Sequence, residues 1–124
     1  MATIVIIEDD YNLADIICRY LSYNQHQVFV AYNAYAGIRL ARRWQPDLVI
    51  LNLFLPDMHG EEVAIVLKRQ LGLAANSTKL VLLSDKLELA SAKAPFVFDL
   101  MVSKPVNLLE FSNFLDWLLC KDLS

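Results

Sequence analysis

Five short apolar runs set the limits on what this chain can fold into: Ile4–Ile7, Val28–Ala31, Leu48–Leu51, Leu80–Leu83 and Leu100–Val102. Each has the length of a strand and is built from β-branched residues, Leu, Phe, Ala or Met, with no alternation of apolar and polar positions. A strand that is apolar on both faces has to be covered on both faces, as in a parallel sheet enclosed by helices; a half-solvated antiparallel sheet alternates instead. The 124 residues suffice for one domain, read here as residues 1–124, and a 56% hydrophobic content with 3 Gly and 4 Pro leaves little for linkers.

Between the runs the apolar period changes to that of helices. Leu13, Ile16, Ile17 and Leu21 form one stripe. Asn33 is placed to cap a second helix carrying Ile38, Leu40 and Ala41, which has to stop near Arg43, ahead of Pro46. Val63, Val66, Leu67 and Leu71 mark a third, with Gly72 as its stop. The segment Lys86–Ala94, bounded by Pro95, supports only a short or poorly ordered fourth helix. Asn107 with Glu110 three residues on reads as a capping box for a fifth, whose core face is Leu108, Phe111, Leu115, Leu118 and Leu119. Strand and helix thus alternate five times, predicting an α/β, doubly wound five-stranded parallel sheet with helices on both faces.

Ligands of such sheets bind beyond the carboxyl ends of the strands. There the chain places Glu8-Asp9-Asp10, Asn52, Ser84-Asp85 and Ser103-Lys104-Pro105: a carboxylate cluster, an amide, a hydroxyl and a lysine on one edge. Through these residues, and through Pro46-Asp47-Leu48-Val49-Ile50-Leu51-Asn52-Leu53-Phe54-Leu55-Pro56-Asp57-Met58-His59-Gly60, the chain resembles the receiver domain of two-component response regulators along essentially its whole length. The resemblance implies the flavodoxin-like strand order 2-1-3-4-5, which periodicity alone does not supply.

It also implies roles. In that family an aspartate ending the third strand takes up a phosphoryl group beside Mg²⁺. Position by position, Glu8 and Asp9 fall on the acidic pair, the Phe54 backbone carbonyl on the remaining metal ligand, Ser84 on the hydroxyl that meets the phosphoryl group, and Lys104 on its cationic partner. The acceptor position holds Asn52. A carboxamide is no activated nucleophile and brings no negative charge to a hard cation, so no cofactor is expected beyond weakly held Mg²⁺ at Glu8, Asp9 and Phe54. Two more departures follow the same pathway: Asp85 stands where the family has a small residue, and Met101 where it has a switching aromatic. Glu8, Asp9, Asp10 and Asp85 then form an acidic pocket, and Lys104 is expected to be held by Glu8, Asp9 or Asp85, with Asp85 preferred as the unusual residue.

The function expected is an atypical receiver in signal transduction that works by protein–protein contact without aspartyl phosphorylation and is not an enzyme. The alternative is an ordinary phospho-accepting receiver with an engineered Asp-to-Asn change at position 52. A flavodoxin-like cofactor carrier is disfavoured, because Glu8-Asp9-Asp10 after the first strand repels phosphate where a Gly/Ser/Thr-rich loop is needed. A net charge of −3 gives no footprint for direct nucleic-acid binding, and no apolar run reaches the ~18 residues of a membrane span. Partners are therefore expected to be a protein, an output domain or a second copy of the chain. Phe96, Phe98, Phe114 and the outward-facing Trp117 are the candidate interface. With no secretory leader the location expected is cytoplasmic, with Cys18 and Cys120 reduced. His26 and His59 lack the company of metal ligands.

Overall fold

A computed structural model describes residues 1–71 and 77–120. Five strands, β1 (Thr3–Ile7), β2 (Gln27–Ala31), β3 (Leu48–Asn52), β4 (Lys79–Ser84) and β5 (Leu100–Ser103), form one parallel sheet in the order β2-β1-β3-β4-β5. Register brings Ile6 beside Val30 and Ile50, and Val81 beside Ile50 and Leu100.

The pleat divides these apolar strands between two cores. Val5, Ile7, Val49, Leu51, Leu80 and Leu82 face α2 (Ala34–Trp44), α3 (Gly60–Gln70) and α4 (Ala94–Val97). Ile4, Ile6, Leu48, Ile50, Val81 and Leu83 face α1 (Tyr11–Tyr23) and α5 (Leu108–Cys120). Each fully buried Leu, Ile or Val contributes about 1.5–3 kcal/mol, so the central strands, closed on both faces, anchor the loops that leave their ends.

Helix ends follow local chemistry. Asn33 Oδ1 accepts from Ala36 N–H at 2.8 Å to start α2, and Asn107 Oδ1 accepts from Glu110 N–H at 3.1 Å ahead of α5. Helix α2 closes at Trp44 on Gln45, whose φ of 42° lies in the left-handed region. The proposed stop at Gly72 lies outside the described residues.

The fourth connection differs from the expectation. Lys86–Ala94 holds only a 3₁₀ turn at Leu87–Leu89, and the single turn of α4 begins at Ala94 with Pro95 inside its first turn. Proline lacks only an N–H that a first helical turn leaves unused, so Pro95 helps to begin this helix where it was expected to end one.

Candidate functional site

The carboxyl ends of β1, β3, β4 and β5 bring Glu8, Asp9, Asn52, Ser84 and Lys104 to one edge of the sheet. Glu8 directly follows the buried strand β1 and is itself 1% exposed. Its Oε1 lies 2.6 Å from Lys104 Nζ, and its Oε2 accepts from Asp10 N–H at 3.1 Å. Lys104 reaches it from the end of β5, where the Lys104–Pro105 peptide is cis. The close approach of Lys104 is an ion pair without the directional geometry of a well-formed hydrogen bond. Burial pushes the Glu8 carboxyl above its ordinary value, against the lowering pull of Lys104 and of Asp10 N–H. Asp9 behaves oppositely: burial raises it, but its interaction with the neighbouring Glu8 carboxyl and the hydrogen bond from the Asn52 amide outweigh burial and hold it below the usual range.

Asn52 closes the arrangement. Its Nδ2 donates to Asp9 Oδ1 at 2.9 Å and to the Phe54 carbonyl at 3.1 Å. Both partners only accept, which fixes which end of the carboxamide faces them. Ser84 is buried, and its Oγ accepts from Lys86 N–H at 2.9 Å, so the hydroxyl is tied to the turn after β4. Met101 is partly buried against the core shared by α2, α3 and α4.

Two sequence expectations are corrected, the preference for Asp85 as the partner of Lys104 and the place of Phe98 at the interface. The partner of Lys104 is Glu8; Asp85 is exposed, lines a groove of about 430 Å³ together with Lys104 and Asp10, and forms no ion pair among the described residues. A side chain already at the sheet end reaches the ammonium without leaving the core, whereas the loop carries Asp85 toward solvent. Asp10, which lines the same groove, also serves as the N-cap of α1: its Oδ1 accepts from Asn12 N–H at 3.0 Å and Leu13 N–H at 3.1 Å. Phe98 is 5% exposed in the core, and so leaves the candidate interface, while Phe96 is 86%, Phe114 51% and Trp117 60% exposed. The one-turn α4 turns Phe98 inward and Phe96 outward.

Several site residues went unread in the sequence. Asp57, in the loop after β3, accepts from Ala34 N–H at 2.8 Å and Tyr35 N–H at 3.0 Å, tying that loop to the start of α2. Burial pushes its carboxyl up, and the hydrogen bonds from the backbone donors together outweigh that push and hold it low. Glu61 accepts from both N–H and Oγ–H of Ser91, which lower its carboxyl against burial and fasten α3 to the β4–β5 connection. His59 Nδ1 accepts from Glu61 N–H at 3.3 Å as the cap of α3, and His26 Nδ1 accepts from Ala2 N–H at 3.1 Å. An Asp just before a helix is a legible cap signal, whereas a His in that place is not, and neither are contacts to segments more than twenty positions away. Both cysteines are free thiols.

Comparison with known proteins agrees with this geometry. The chain is 30% identical to the response regulator ArlR of Staphylococcus haemolyticus over 86 residues, which cover 69% of this chain and 37% of that protein. It is 34% identical to the probable transcriptional regulatory protein TcrX of Mycobacterium tuberculosis over 61 residues, 49% of this chain and 26% of the relative. The chain thus spans well under half the length of these relatives. Among solved structures, a response regulator receiver domain protein of Clostridium thermocellum superposes with a TM-score of 0.85 at 18% identity, covering 98% of this chain and 97% of that one. The response regulator TrrA of Thermotoga maritima, solved with Mg²⁺ and BeF, gives 0.83 at 23% identity over 95% and 99% of the two chains. No helix among the described residues is long and apolar enough to cross a membrane. A family model described as the response regulator receiver domain matches residues 4–115, and with the sheet order and the acidic, hydroxyl and lysine positions in place, the chain belongs to the response regulator receiver domain family.

Proposed function

We propose that this receiver signals by protein contact without aspartyl phosphorylation and without catalysing a reaction of its own. One observation carries the reading: the Asn52 amide donates to both Asp9 and the Phe54 carbonyl. Those are two of the three groups that the resemblance assigns to Mg²⁺, and an N–H donor stands between them. As arranged, these residues do not fit a divalent cation, because the amide directs partial positive charge at the oxygens a metal would need and adds no anionic ligand. The third, Glu8, is engaged by Lys104. The pocket therefore supplies its own positive groups, and Asn52 offers no carboxylate to form an acyl phosphate.

The output on this reading is a protein contact, through an output region joined to the receiver or a separate partner, with exposed Phe96, Phe114 and Trp117 as candidate contact residues. Mass spectrometry after incubation with acetyl phosphate and Mg²⁺ tests it. The protein is expected to gain no phosphate, while Asn52→Asp gains Mg²⁺ affinity by calorimetry. Phosphate on any pocket residue of the unaltered chain overturns the proposal.

A further inference from the structure

Strand β2 is the outer strand on its side of the sheet and pairs only with β1. Gln27 N–H donates to the Ala2 carbonyl, and the Ala31 carbonyl accepts from Glu8 N–H. Successive residues of a paired strand direct their backbone groups to opposite sides, so the N–H and C=O of Val28 and Val30 point away from the sheet. The strand, Gln27-Val28-Phe29-Val30-Ala31, carries neither the charge nor the proline that commonly blunts an exposed edge.

Beside this edge runs a groove of about 590 Å³ lined by Val30, Ala31 and Leu40 and by three arginines of α2, Arg39, Arg42 and Arg43. Their spacing puts the arginines on one side of the helix, and α2 contains no acidic residue. Among the described residues none of the three pairs with a carboxylate: Arg42 Nε donates to Gln70 Oε1 at 3.2 Å, and the Arg43 guanidinium lies 5.3 Å from the Trp44 ring centroid. Trp44 in turn stacks on Phe29 of β2 at 4.5 Å, which fixes this end of α2 against the edge strand. Three of the chain's five arginines thus gather along one open sheet edge of a protein whose net charge is −3.

We propose that the β2 edge and the α2 arginines form a docking site for an extended acidic segment of a partner protein, which adds as a sixth strand. Backbone pairing to Val28 and Val30 supplies affinity, and charge-assisted hydrogen bonds to the guanidinium groups supply selectivity. The spacings agree: same-face residues on a strand recur every ~6.8 Å, and Arg39 and Arg43, four residues apart on a helix, are separated by ~6 Å along its axis. A second copy pairing edge to edge would bring two arginine rows together, which argues against self-association here. The site lies apart from Asn52, and the inference is independent of how that pocket is read.

The test is a titration of ¹⁵N-labelled protein with a capped octapeptide of alternating Glu and Val, at low and at physiological salt. Amide shifts are expected at Val28–Ala31 and along α2, with slowed hydrogen exchange at Val28 and Val30. The double variant Arg39→Glu/Arg43→Glu, altered only at exposed helix positions, should weaken binding at least tenfold. Val30→Pro, which removes an outward N–H and no bond to β1, should abolish it. The proposal is overturned by absence of binding, by shifts elsewhere, by unchanged affinity of the arginine variant, by equal binding of a Lys-Val peptide or duplex DNA, or by self-association through this edge.

Discussion

Glu8 and Lys104 show how one pair can organise a pocket. Glu8 is almost fully enclosed and Lys104 keeps 18% of its side-chain exposure, so removing either strands a charge in a poorly solvated place. Truncating one member of such a pair costs about 3–5 kcal/mol, against about 0–1 kcal/mol for an exposed one. Lys104→Ala should fall toward the upper range, and Glu8→Gln/Lys104→Ala should cost less than the single changes together, read by urea unfolding. The sign with pH follows from the direction of the Glu8 shift. Its carboxyl is raised by burial and pulled down by Lys104, so without the lysine it rises further. The deficit of Lys104→Ala should therefore shrink as pH falls and Glu8 takes up a proton. A second residue-scale contrast lies in α4: Phe98→Ala should cost about 3–5 kcal/mol, and Phe96→Ser no more than about 0.5 kcal/mol, given their 5% and 86% exposures.

Elements are held together here by their ends. Gly60 begins α3 against the end of β3, and a Cβ added to it would stand 2.5 Å from the Asn52 carbonyl oxygen and 2.9 Å from Leu53 Cα. Both are backbone atoms that cannot rotate away, so Gly60→Ala should destabilise by at least about 1–3 kcal/mol and displace the Asn52 backbone resonances. How much of this was legible depends on range. Runs such as Leu48–Leu51 and Leu80–Leu83 announce buried strands, and the stripe Phe111, Leu115, Leu118 announces the core face of α5, because both signals are local and periodic. A single turn such as α4 has no period to read, so from sequence Pro95 reads as a terminator and Phe98 as surface. Strand order has no local signal at all and follows from family resemblance alone. Of the site, the residues meeting at the sheet edge were visible as strand ends. The choice of Glu8 over Asp85 was not, because which carboxylate reaches an ammonium depends on loop paths that composition does not encode.

Across the whole molecule, acid should act through the carboxylates that fasten its parts. Asp57 at the start of α2 and Glu61 between α3 and Ser91 both have lowered carboxyls, as does Asp9. Each contributes stability that is fully present above the unfolded value of about 4 and is lost as pH falls through the lower folded one; Glu8, raised, contributes oppositely. Unfolding midpoints should thus drop below about pH 4, and Asp57→Asn/Glu61→Gln should flatten that drop. The amide clasp of Asn52 has a further consequence for the proposed function. On the proposed reading the receiver has no covalent state to toggle, so its signal varies with its amount and its response time becomes that of synthesis and degradation. Because ~1–2 kcal/mol of stability changes cellular abundance several-fold, the strength of the fold itself then sets the gain of the signal.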